Sequence, residues 1–127
     1  MSEKVKNGTK AESLFLYWAI KHGWGVCIPF SHDTPYDFIV DNSGALCRVQ
    51  VKKAYTTYER GTPVIDCELR RMGNGWKKSK YSISDFDYLA AVSTESSRIW
   101  FIPIKNVIGQ TRIRLSSDKW SEYAVVG

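Results

Sequence analysis

Gln50 and Lys52 stand two positions apart in the stretch "LCRVQVKKAY" (residues 46–55), where Cys47, Val49 and Val51 alternate with Arg48, Gln50 and Lys52. Such alternation marks a half-buried β-strand, and side chains at i and i+2 of a strand leave the same face. Gln50 and Lys52 are therefore neighbours, with Arg48 one step behind. Asp37 opens an earlier apolar run, "DFIV", and the intervening "DNSGA" reads as the turn of a hairpin. That hairpin returns Gln50 and Lys52 to the vicinity of Asp37, collecting a carboxylate, an amide oxygen and an ammonium. Carboxylate and carbonyl oxygens are hard ligands suited to Mg²⁺, which is usually held by one or two carboxylates and its own waters. A lysine beside them can position or deprotonate an attacking water and offset charge developing on phosphorus.

Several elements must hold this cluster. "NGTKAESLFLYWAIKHG" reads as an amphipathic helix, with Thr9 as its cap and Glu12 completing a capping box. Leu14, Tyr17 and Trp18 follow helical spacing, and Gly23 ends the helix. "WGVCIPF" and "YDFIVDNSG" read as strands, followed by the strand at 46–53 and by a fourth in "TPVIDCELRR". "DYLAAVSTESSRIWFIPI" predicts two strands joined by a polar hairpin loop. Pro103 opens a short helix, and "TRIRL" makes a last short strand. The expected fold class is α/β: one mixed sheet led by an N-terminal helix, in a single domain over residues 1–127.

The bulk composition narrows the setting. Hydrophobic residues at 43% and charged residues at 24% of 127 argue against disorder. No apolar run approaches the roughly 20 residues of a membrane span. The polar start "MSEKVKNGTK" lacks the apolar stretch of a secretory signal. Cys27, Cys47 and Cys67 form no CxxC pair and read as small buried hydrophobes in a reducing, cytoplasmic compartment. His22 and His32 show no metal-ligand spacing with any cysteine. The net charge of +5 and pI near 9.2 make a polyanion a candidate partner. "RRMGNGWKKSKY" concentrates this charge in a loop, with Arg70, Arg71, Lys77, Lys78 and Lys80 set around Trp76 and Tyr81. Cations neutralise phosphates and aromatic faces stack on bases.

The order Glu12 on a first helix, Asp37 on one strand and Gln50-x-Lys52 on the next resembles the PD-(D/E)XK nuclease superfamily. Within it the sequence is most similar to the group I intron-associated PD-(D/E)XK homing endonucleases. "GTKAE" (8–12), "YDFIVDNSGALCRVQVKKA" (36–54) and "DYLAAVSTESSRIWFIPI" (87–104) carry the resemblance. It implies a restriction-endonuclease-like core, Mg²⁺-dependent phosphodiester hydrolysis and double-stranded DNA as substrate. Carried over, Glu12, Asp37 and the backbone carbonyl of Val51 would hold the metal. Gln50 would orient the metal or its water, and Lys52 would activate water. Two departures stand out: Tyr36 precedes Asp37 where the motif has proline, and Gln50 replaces the usual acid, so negative charge must come from Asp37 and Glu12.

Arg48, Lys53, Arg70, Arg71, Lys77, Lys78 and Lys80 are the expected DNA contacts. Cutting both strands takes two sites, so a homodimer or homotetramer is expected. Asp33 and Asp41 are rival carboxylates in turn contexts, and Glu68, two positions after Asp66, could enter the site from an adjacent strand. Two other functions remain open: a Holliday junction resolvase, and a non-catalytic DNA-binding module on a nuclease scaffold. The expected location is a bacterial cytoplasm, whether the gene is the cell's own or a phage's.

Overall fold

The structure, a computed structural model, describes residues 3–31, 33–72 and 78–126; the side chains of 3–7, 70–72, 78 and 79 lie outside the described set. His32, Trp76 and Lys77 also lie outside the described residues.

Helix α1 (Glu3–Lys21) leads the chain. Ala11, Phe15, Trp18 and Ala19 are buried along one stripe, at the i, i+4, i+7, i+8 spacing of an amphipathic helix. The helix starts six residues before Thr9, which corrects the expected cap. Thr9 and Glu12 lie inside the helix, so Glu12 has no capping duty. Tyr17 faces solvent rather than the core. Gly23, at φ +81°, closes the helix in the left-handed region that glycine tolerates best.

Strands β1 (Gly25–Cys27), β2 (Phe38–Asn42), β3 (Ala45–Glu59) and β4 (Thr62–Glu68) follow as an antiparallel meander. A short ribbon of β5 (Arg70–Met72) and β6 (Lys78–Lys80) comes next, then β7 (Tyr88–Ser93), β8 (Arg98–Pro103), β9 (Arg112–Arg114) and β10 (Ala124–Val126). Eight of these strands form one mixed sheet, and β5 with β6 form a separate two-stranded one. The expected basic loop is thus a hairpin, and "TPVIDCELRR" divides at Leu69 between the two sheets. A turn of 3-10 helix (Asp118–Tyr123) and β10 extend the fold beyond "TRIRL", which is not its last strand.

β3 is the axis of the sheet. One edge runs parallel to β7, from Val49↔Tyr88 to Ala54↔Ser93. The other edge pairs first with β2, ending at Phe38↔Val49, and then with β4, beginning at Ala54↔Cys67. Residues 50–53 therefore have no strand partner on that edge. The register also sorts the faces. Val49, Val51, Ala90 and Val92 face α1, in a core with Phe15, Trp18, Phe38 and Val40. Gln50, Lys52 and Ala54 face the opposite core of Leu89, Ala91, Cys67, Tyr81, Phe86 and Trp100, which Leu115 and Trp120 help to cover.

Phe15 sits at the centre of the helix-side core, with Trp18, Phe38 and Phe101 ring centroids 5.9, 5.9 and 6.1 Å away. Removing a fully buried aromatic ring loses its transfer free energy and opens a cavity. Phe15→Ala is expected to lower unfolding stability by about 3–5 kcal/mol in urea titration. A loss below about 1 kcal/mol would mean that α1 does not depend on this contact.

Candidate active site

The unpaired edge of β3 is filled by a side chain. The Asp37 N–H donates to the Val49 carbonyl at 2.9 Å, the last backbone bond between the two segments. One step on, the Val51 N–H donates to Asp37 Oδ2, also at 2.9 Å. The Asp37 carboxylate thus replaces the next rung of the ladder. N–H and C=O of one strand residue leave the same edge, so the Val51 carbonyl opens into the same notch. Gln50 Nε2 donates to that carbonyl over a long 3.4 Å.

Glu12, on α1, lies within electrostatic range of Asp37. Burial, and then the neighbouring Asp37 charge, hold its carboxyl above the ordinary carboxylate range. Asp37 is raised too, mainly by burial, while the Val51 N–H and Lys52 pull it back part of the way. The local sequence explains the meeting. β2 ends its pairing at Phe38, so Asp37 is free to turn toward β3. Lys52 lies on the other face, its ammonium 5.8 Å from the centre of the Tyr81 ring. The notch therefore joins a helix-side acid to an amide and an ammonium from the far face of the sheet.

Two carboxylates held together, each resisting ionisation, form a site that a positive charge relieves. With the Val51 carbonyl and the Gln50 amide they make an all-oxygen donor set that fits a hard divalent ion. Among the described residues no group of three or more His, Cys, Asp or Glu side chains could hold a metal. An ion here would therefore rest on two carboxylates, neutral oxygens and water, a shell that suits Mg²⁺.

The rival acids are occupied or displaced. Asp33 is exposed in the loop before β2, and Asp41 Oδ1 accepts from the Gly44 N–H at 2.7 Å, capping the β2–β3 turn. Asp66 is buried and bonded by Arg114, whose Nε and Nη2 donate at 2.9 and 3.1 Å. Glu68 is exposed; one step beyond the last β3–β4 pair it falls opposite Lys53, on the face away from Lys52.

The expected DNA contacts divide as well. Arg48 is a structural tie: Nε and Nη2 donate to Asp87 at 3.3 and 3.1 Å, and Nη1 to the Ser84 carbonyl at 2.7 Å. This hydrogen bonding holds the Asp87 carboxyl below its usual range. Lys53 shares the α1-facing side with Val92. Arg70, Arg71 and Lys78 contribute backbone to the β5–β6 ribbon, and Lys80 is exposed at its end. Tyr81 is only 6% exposed, which corrects its reading as a stacking face for bases. Tyr58 is exposed, Tyr55 half-buried. The cysteines differ: Cys67 is buried, its thiol pushed up to about 12 by that burial, Cys47 is half-buried, and Cys27 is exposed on the sheet-edge strand β1. His22 is exposed near the rings of Trp18 and Trp24. Sequence reasoning missed the Tyr81–Lys52 approach and the Asp87 clamp, because each joins segments far apart in the chain.

An N-terminal helix packed on a mixed sheet, with a carboxylate seated on the unpaired edge of its central strand, is the arrangement of a nuclease fold. The chain belongs to the PD-(D/E)XK endonuclease family, whose sequence profile matches residues 1–123. Nucleases of this family act on DNA and generally use divalent metal ions. The chain is 35% identical to Protein 5.3 of Escherichia phage T7 over 100 residues, covering 79% of this chain and 81% of that one. Its fold is similar to that of I-Ssp6803I, a bacterial homing endonuclease, with a TM-score of 0.82 and 27% identity over 98% of this chain and 89% of the other.

The raised carboxyls have a thermodynamic sign. A folded-state acid with a raised pKa binds its proton more tightly than in the unfolded chain, so its contribution falls as pH rises through the carboxylate range. Without metal, Glu12→Gln and Asp37→Asn are therefore expected to melt above the wild type at pH 7, with the advantage vanishing below about pH 4. An equal loss of melting temperature at both pH values would show that the two acids do not strain the fold.

Proposed function

We propose that this protein is a site-specific, homing-type endonuclease that hydrolyses phosphodiester bonds of double-stranded DNA with Mg²⁺, through one endonuclease domain spanning residues 1–127. The observation that carries the reading is the Asp37 carboxylate on the Val51 N–H at the unpaired edge of β3, with Glu12 and Lys52 within its electrostatic range. The family match and the likeness to a bacterial homing endonuclease support it.

Glu12, Asp37 and the Val51 carbonyl would hold the ion, with the Gln50 amide oxygen orienting it or one of its waters. When bound, the ion supplies Lewis-acid polarisation of the phosphate and lowers the pKa of attached water. The protein's own groups do the rest. Lys52 donates to the attacking water and to a phosphate oxygen, offsetting the charge that builds in the transition state. Asp37, fixed by the Val51 N–H, holds the approach direction. Gln50 cannot ionise, so the charge at the site rests on the two carboxylates.

The β5–β6 ribbon, with Arg70, Arg71, Lys78 and the exposed Lys80, is the proposed DNA-gripping element; Lys77 lies outside the described residues. Arg48 and Lys53 are left out of this set, the first tied to Asp87 and the second facing α1. Because one chain carries one notch, cutting both strands takes a homodimer or homotetramer. The cytoplasm of a bacterium, or of a phage-infected cell, is the proposed location, in line with the phage relative. Among the described residues no helix is long and apolar enough to cross a membrane.

The test is cleavage of plasmid and host DNA with Mg²⁺ or EDTA. Wild type is expected to give discrete Mg²⁺-dependent fragments. Lys52→Ala should lose about 10²–10⁴-fold in rate while binding DNA as before. Equal losses of binding and cleavage would count against the role of Lys52. Cutting confined to four-way junctions would make the protein a resolvase, and binding without cutting a DNA-binding module.

A further inference from the structure

Lysine is a poor element for precise work unless something restrains it, because its ammonium rides on a flexible four-carbon stem. The far face of the sheet supplies that restraint. Lys52 pairs in register with Ala91, and Ala54 follows it on the same face; both alanines are fully buried. These small side chains leave room beside the lysine stem on that face. The stem ends at Tyr81, whose ring centre is 5.8 Å from the ammonium. That ring is itself fixed: it is 6% exposed and meets Phe86 edge-on, at 4.9 Å between centroids and 74° between planes.

We propose that Tyr81 is a positioning residue, its ring face holding the Lys52 ammonium in the orientation the notch requires. A cation over an aromatic face is attracted by the ring quadrupole, and more strongly where water is displaced. The interaction restrains the ammonium without neutralising it, as a carboxylate would.

Tyr81 also follows β6 directly, and Leu69, fully buried, directly precedes β5. Both stems of the basic ribbon are thus anchored in the core beneath Lys52. The element proposed to grip DNA and the lysine proposed to act on it share one aromatic support.

The catalytic part of this proposal rests on the reading of the protein as a nuclease, so the experiment has two independent arms. In the first, NMR of ¹³C-labelled lysine in the whole protein follows the Lys52 side-chain ε-protons. They are expected upfield of ordinary lysine values in the wild type and in Tyr81→Phe, and at ordinary values in Tyr81→Leu. Ordinary values in the folded wild type would overturn the proposal.

In the second arm, Tyr81→Leu is expected to lower kcat about tenfold with KM nearly unchanged, and Tyr81→Phe to recover most of that rate. Fluorinated phenylalanines at position 81 keep the ring's shape while weakening its face, so they serve even where Tyr81→Leu folds poorly. A stepwise fall in kcat with added fluorine supports the assignment, and a flat series overturns it. A wild type that shows the upfield shift but cuts no DNA would sink the nuclease reading and leave the Lys52–Tyr81 pairing standing.

Discussion

The site depends on one hydrogen bond that is not part of any sheet. Where β2 stops and β4 has not begun, β3 presents an edge that would otherwise meet water, and the Asp37 carboxylate takes the Val51 N–H at 2.9 Å. Backbone donors shielded from water must find partners, so the fold constrains the acid as firmly as the acid serves the strand. Moving β2 by one residue against β3 would turn Asp37 to the wrong face relative to Gln50 and Lys52, which the β7 pairing holds. The aspartate is therefore the peg that sets the end of β2.

The arrangement sets two free-energy demands against each other. Glu12 and Asp37 are held where burial resists their ionisation, and the Asp37 charge adds to that resistance at Glu12. Such local cost, offset by packing elsewhere, is a common property of functional sites. Here the compensation comes from Phe15, Trp18, Phe38 and Phe101, which clamp α1 to the sheet so that Glu12 has no easy retreat.

Much of this was legible in the sequence because it is local. The alternation in residues 46–52 and the turn "DNSG" give the β2–β3 hairpin, and the hairpin alone brings Asp37 to Gln50. The start of α1 was not legible: Thr9 with Glu12 matches a capping box, yet the helix runs on through Gly8. One glycine costs a helix only about 1 kcal/mol, so longer-range packing decides. The basic ribbon hid behind two glycines and strands of three residues, too short to show a period. The chain end hid because Trp120, its buried anchor, is surrounded by polar residues. The contact of Lys52 with Tyr81 could not be seen from sequence at all, since nothing in either neighbourhood points to the other.

The parallel pairing of β3 with β7 has a further consequence, for the life of the chain during synthesis. β2, β3 and β4 are joined by tight turns and can pair as soon as they emerge. The β7 edge of β3 waits for residues 88–93, and the Arg48–Asp87 tie spans 39 positions. Tyr81 arrives late as well. A nascent chain emerged only through β4 carries Glu12, Asp37, Gln50 and Lys52 but not the strand and ring that order them. The ordered site thus arrives only once β7 has joined the sheet.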